Sequence, residues 1–291
     1  MLPKKIIIAL FIVLPCMMHG QAEEELYEIL GKPAEVDISA MPLHFRVRVN
    51  NLSQFFGRFN LTQNIYGEKV NNAVQDWEER YSIGAKREAL KSIKKVMLHA
   101  LADSAWVSAN TDLFQAFINA VQQSEAQLDY ESTSWYSLNY CFFEYRKERI
   151  PVQLLMETER FGNGWRWAIA DVFAPDIFPK QDKGQGYIQP MAHENGFMDL
   201  RKAFSKEAAL QAYFTSELNY SSKHLFIDLF NQGALKYLNV DRSEFYFFSV
   251  PGWVFRVSYF NRASNASGWL IDFAAPLGEC TQEEYMSLIM N

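Results

Sequence analysis

Among the residues able to do chemistry, two aspartates come first because they recur in one pattern. Asp171 ends the run Gly164-Trp165-Arg166-Trp167-Ala168-Ile169-Ala170 and is followed by Val172-Phe173-Ala174-Pro175. Asp272 follows Gly268-Trp269-Leu270-Ile271 and precedes Phe273-Ala274-Ala275-Pro276, 101 residues later. Both read Gly-Trp, apolar residues, then Asp-x-x-Ala-Pro. An acid walled in by apolar groups keeps its proton more readily and can act as a general base. The competing role is structural: where a strand leaves a sheet before a proline, the carboxylate bonds the next backbone N–H groups in an Asx-type turn. Recurrence in both copies favours the turn, so Asp171 and Asp272 are read as structural and no catalytic residue is assigned.

Other chemistries find weaker support. A metal site needs several ligands at fixed spacing; His193-Glu194 stands alone and His44, His99 and His224 are scattered. Ser92-Ile93-Lys94-Lys95 fits Ser-x-x-Lys, but mid-helix and without companion motifs. Neither Gly-x-Ser-x-Gly nor a glycine-rich phosphate loop occurs, so no cofactor is implied. Gln153, Glu157 and Glu159 fit the solvent side of a half-exposed sheet. Asn51, Asn60, Asn219 and Asn265 begin Asn-x-Ser/Thr triplets and are read as background. What remains is aromatic. Tyr136, Trp165, Trp167, Trp253 and Trp269 all fall on expected strands. Core packing is their default, but any exposed subset would suit a peptide or glycan, because flat rings bury area at low entropy cost. They are the candidate ligand-binding residues.

The elements carrying these residues repeat in order. Helical spacing marks 85–101, with Leu90, Ile93, Met97, Ala100 and Leu101 on one face and Lys86, Arg87, Lys91, Lys94 and Lys95 on a basic, solvated remainder. A second helix starts after Asn110-Thr111-Asp112, which offers N-cap chemistry, and presents Leu113, Phe114, Phe117, Ile118 and Val121. The period then becomes two. Tyr136, Leu138, Tyr140 and Phe142 form a strand, Val152, Leu154 and Met156 a second, and Gly162-Asn163-Gly164 turns into a third, Trp165–Phe173. Residues 175–197 hold three prolines and three glycines without periodicity. Beyond them come a helix at Ala208–Phe214, another with Leu225, Phe226, Leu229, Phe230, Ala234 and Leu238 on its face, and strands at Phe245–Val250, Trp253–Asn261 and Gly268–Ala274. Phe55, Phe56 and Phe59 suggest a short early helix ending near Asn60, after a strand or helix start at 43–49. Residues 23–42 show little pattern, and 60–75 read as loop. The fold class is therefore α+β in two modules, each with helices packed on a curved antiparallel meander: 23–175 and 197–291, joined by a linker at 176–196.

The chain has 291 residues, 49% hydrophobic and 21% charged, which indicates a folded protein. Aromatics make up 15%, consistent with prominent sheet. Lys4 and Lys5 precede nine apolar residues, Ile6 to Leu14, and Gly20-Gln21-Ala22 supplies small residues for cleavage after Ala22. Residues 1–22 read as a signal peptide. The apolar run is too short to span a bilayer, which takes about 20 residues. Pro15 argues against a lipid anchor at Cys16. The expectation is an exported protein, periplasmic or extracellular, without a membrane span. Beyond Ala22 the chain carries 26 basic and 34 acidic residues, a balance of −8 that argues against nucleic acid as partner. Cys141 and Cys280 fall in different modules and are read as free thiols, with a bond between them left open.

Helices followed by a long antiparallel meander that closes in a Gly-Trp strand resemble the nuclear transport factor 2-like (cystatin-like) superfamily, over roughly 45–175 and 197–276. Tandem copies behind a signal peptide resemble exported proteins of Gram-negative bacteria. The resemblance implies helices in the concave face of a curved sheet and a cone-shaped pocket. It implies no reaction, since the superfamily includes enzymes, binders and adaptors. The expected function is an exported, non-catalytic binding or scaffold protein for a protein, peptide or glycan. The alternative is a pocket enzyme, an isomerase or dehydratase using one acidic residue as general base.

Overall fold

A computed structural model describes residues 20–31, 48–175, 177, 222–262 and 267–290. Residues 1–19, the strand start at 43–47, most of the linker at 176–196, the helix at Ala208–Phe214, His44, His193, Glu194, Asn219 and Asn265 lie outside them. The class is α+β, with helices and a six-stranded antiparallel sheet. The helices are α1 (20–30), α2 (Leu52–Phe59), α3 (Asn71–Arg80), α4 (Ile83–Ala100), α5 (Ser104–Ala109), α6 (Thr111–Ser124), α7 (Ser222–Asn231) and α8 (Gln282–Met290). The strands are β1 (Trp135–Tyr145), β2 (Glu148–Phe161), β3 (Gly164–Phe173), β4 (Leu235–Phe247), β5 (Trp253–Phe260) and β6 (Gly268–Pro276). Their order in the sheet is β3-β2-β1-β4-β5-β6.

The chain divides into two compact units, each discontinuous in sequence. The first comprises 1–136, 160–165 and 244–285. Its main core is aromatic. Phe59 of α2 stacks on Phe255 of β5 at 5.7 Å, Phe255 on Phe247 of β4 at 5.0 Å, and Phe247 on Trp135 at 5.5 Å. Phe114 and Phe117 of α6 complete it. Burying one such ring fully contributes about 1.5–3 kcal/mol. A second cluster lies between α1, α3 and α4. Ala22, Leu26 and Leu30, one helical turn apart, meet Trp77, Ala85, Ala89 and Ile93.

The outer edge of β6 is capped. Val49 and Ala102 each form a single parallel bridge to it, at Gly268 and Ile271. Trp269 N–H donates to the Val49 carbonyl at 3.0 Å, and Ile271 N–H to the Leu101 carbonyl at 2.8 Å. An exposed edge would present unpaired N–H and C=O groups to other chains; here two loop segments take them up.

The second unit comprises 137–159, 166–243 and 286–291. Cys141, Phe143, Ile150, Val152 and Val172 form the sheet side of its core, with Phe226 of α7 set edge-on to Phe143 at 5.4 Å.

Several elements depart from the sequence expectation. The helix expected to present Leu225 through Leu238 ends at Asn231, because Gly233 turns left-handed (φ +72°). Ala234 N–H bonds the Leu229 carbonyl and Gly233 N–H the Phe230 carbonyl, a Schellman closure. Leu235 then begins β4, ten residues before the strand expected from Phe245. Residues expected to be loop or unpatterned include the first half of α3, 71–75, and most of α1. Asn110 flanks α6 without capping it; its side-chain amide instead donates to the carbonyl of Trp106, within α5.

Candidate functional site

A polar cluster in the first unit grows from a fault in strand pairing. Arg256 of β5 pairs with Phe273 of β6, but the next residue, Val257, pairs with Ile271. Asp272 is the extra residue, so β6 bulges there, and a bulge re-aims a side chain. The Asp272 carboxylate accepts from both Nε and Nη2 of Arg256, at 2.9 and 3.1 Å. This fork-to-fork geometry is the stronger form of ion pair. Arg256 Nη1 lies 3.5 Å from Glu244 Oε2, and the Tyr246 hydroxyl donates to the same oxygen at 3.0 Å. Glu244 and Tyr246 are both buried.

The electrostatics follow from this packing. Burial works against the charge on Arg256, but the bonds with Asp272 and Tyr246 outweigh it and raise its pKa above the usual arginine value. Burial raises the Tyr246 phenol well above its ordinary range, with Glu244 adding to the effect and Arg256 opposing it. Beside the cluster, Phe248 meets Tyr136 edge-on at 5.7 Å and Tyr285 of α8 edge-on at 6.0 Å. A reciprocal capping box starts α8: Glu284 N–H donates to Thr281 Oγ1, and Thr281 N–H to Glu284 Oε2.

Other charged groups are drawn inward in the same unit, Asp103 and Lys94 among them. Asp103 is buried, accepts from Trp106 N–H as the cap of α5, and pairs with Arg262. Lys94 leaves the basic stripe of α4. Its ammonium donates to the Phe59 and Ala126 carbonyls and lies 4.0 Å from the Phe59 ring centroid. Burial pushes its pKa down to about 7. The remaining stripe stays on the surface: Arg87 and Lys95 are exposed, and Lys91 pairs with Glu88 at 3.0 Å.

The residues singled out from sequence are dispersed. Tyr136 is buried against Phe248. Trp253 packs on Phe117 at 5.7 Å, and Trp269 sits between Phe245 and Tyr259. Trp165 is half-buried, and Trp167 is 36% exposed, the most open of the five. Asp171 lies within β3, where its Oδ1 accepts the Val172 N–H at 2.8 Å. Asp272 lies within β6 and serves Arg256. Ser92 donates to Glu23 Oε1 at 2.6 Å and lies 3.2 Å from the Tyr27 hydroxyl. Cys141 and Cys280 are free thiols. Among the described residues no three His, Cys, Asp or Glu gather as metal ligands.

Sequence reasoning missed Glu244, Tyr246 and Arg256. Their strands were legible in part, but the pairing that joins them depends on register, which carries no local signal. Comparison with family models, with curated proteins and with solved structures finds no match to this chain.

Proposed function

We propose that the protein is an exported, non-catalytic binding or scaffold module, related to the nuclear transport factor 2-like superfamily, that engages a protein, peptide or glycan. The observation that carries this reading is how Asp272 is used. A general base needs a carboxylate free to receive a substrate proton. Both Asp272 oxygens instead hold Arg256, and Arg256 also faces Glu244. Among the described residues two acids are buried: Glu244 accepts from the Tyr246 hydroxyl and faces Arg256, and Asp103 is spent on Arg262 and on the cap of α5. These carboxylates brace the fold, which suits a module whose work is done by its surface. Trp167 is the candidate ring for that surface. No helix among the described residues is long and apolar enough to cross a membrane.

The test is a thermal-shift and tryptophan-fluorescence screen of the full chain against peptides and soluble glycans. A ligand that binds only the folded state raises Tm by mass action; such a ligand, weakened by Trp167→Ala, supports the reading. Turnover of a small enolisable carbonyl compound, abolished by Asp272→Asn while the variant stays folded, would establish the pocket enzyme instead.

A further inference from the structure

The residues read as determining signal-peptide cleavage lie inside a folded helix. Gly20, Gln21 and Ala22 are helical residues of α1. Ala22 has no exposed surface, and its carbonyl accepts a 2.9 Å bond from the indole N–H of the fully buried Trp77. Further contacts hold the next turns down. Glu23 accepts from Ser92 at 2.6 Å, Glu25 accepts from the Tyr81 hydroxyl at 2.6 Å and pairs with Arg80, and Leu26 and Leu30 are fully buried. These contacts join α1 to both α3 and α4.

A peptidase takes its substrate as an extended strand, pairing backbone groups along the enzyme's edge. The Ala22–Glu23 bond offers none of this when folded: its backbone is helical, and the carbonyl that water must attack is bonded to Trp77. We propose that docking of α1 onto α3 and α4 closes this bond to hydrolysis, so that processing has to precede folding. The proposal rests on residues 1–22 being a signal peptide. In the step itself, water adds to the Ala22 carbonyl carbon and the C–N bond breaks. The products are a carboxylate on Ala22 and an amine on Glu23. The processed chain keeps Leu26 and Leu30, and it begins with Glu23-Glu24-Glu25, acids that favour a helix N-terminus. It loses the acceptor of the Trp77 N–H.

The full chain is tested in two states against a type I signal peptidase in detergent, with products read by mass and N-terminal sequencing. One sample is diluted from urea directly into enzyme; the other is folded first. The expected result is cleavage after Ala22 in the unfolded sample and at least tenfold slower cleavage in the folded one. Cleavage of a folded protein follows its opening equilibrium when opening is fast, so Glu25→Ala and Trp77→Phe should speed it. Glu25→Ala removes surface contacts only and keeps the test decisive if Trp77→Phe fails to fold. Equal rates for both samples overturn the closure while leaving the signal peptide intact. An unfolded chain that is not cut after Ala22 removes the signal-peptide reading, and the closure with it.

Discussion

Gly268 lies against the backbone of Val49 so closely that any side chain would collide with it. Its φ is +100°, and a Cβ placed there would overlap the Val49 carbonyl. That approach lets Trp269 N–H reach the Val49 oxygen and cap the sheet edge. Gly164, the matching residue of the first Gly-Trp pair, has open space around it and is not among the positive-φ residues. The prediction is asymmetric. Gly268→Ala should cost about 2–4 kcal/mol, from left-handed strain plus the clash, whereas Gly164→Ala should be neutral or stabilise by up to about 1 kcal/mol. Urea titration of both variants checks this, and equal losses would refute the assignment.

The same pair illustrates how far the sequence could be read. The Gly-Trp repeat was visible, as were the alternation of Tyr136 to Phe142 and the Gly162-Asn163-Gly164 turn, because hairpins are specified locally. So was the apolar stripe of α4. The reason for Gly268 was not visible, since Val49 lies more than two hundred residues away and forms a one-residue bridge that leaves no periodicity. α3 was hidden because its burial rests on a single large residue, Trp77. Ala22, Leu26 and Leu30 do keep helical spacing, but they straddle the expected cleavage point. At Leu235 the apolar spacing read as helix, and Gly233 ended that helix and let a strand begin.

Asn60 begins a glycosylation triplet, yet its side chain is fully engaged with the backbone of Leu128. It donates to the Leu128 carbonyl at 2.7 Å and accepts the Leu128 N–H at 2.8 Å. Asn60→Ala should therefore cost about 1–3 kcal/mol, because it leaves backbone groups without partners. Asn60→Asp keeps the acceptor alone and should fall between. Chemical denaturation of the three proteins gives the order, and an unperturbed Asn60→Ala would show the clasp to be dispensable.

Lys94 gives a pH dependence with a defined sign. Its folded pKa, about 7, lies below the ordinary 10.5. Between those values the unfolded chain binds more protons, so stability rises with pH across that window. Below about 7 both states are protonated and the burial cost is present in full. Tyr27, Tyr81 and Tyr130 have raised pKa values and act in the opposite direction above pH 10, and the Cys141 thiol, raised by burial from 9.0, does so from nearer pH 9, so the comparison belongs between pH 7 and 8.5. Lys94→Met should flatten the rise in urea midpoint over that range. If wild type and variant keep parallel slopes, Lys94 is not the group responsible.

The Arg256–Asp272 pair separates a brace from a base by energetics alone. Breaking a buried ion pair from one side costs about 3–5 kcal/mol, because the remaining charge stays desolvated. Arg256 retains 30% of its side-chain exposure and Asp272 14%, so each single change should cost less, about 2–3 kcal/mol. Asp272→Leu leaves Arg256 facing Glu244 alone, and Arg256→Met leaves Glu244 and Asp272 in mutual repulsion. The double variant removes both charges and should recover much of the loss, giving a coupling of at least about 1 kcal/mol in a double-mutant cycle. A poised general base behaves differently: active sites hold groups in arrangements that cost stability, so Asp272→Leu would then stabilise the chain or leave it unchanged. The sign of that single measurement, made on purified protein without knowledge of any ligand, distinguishes the two roles.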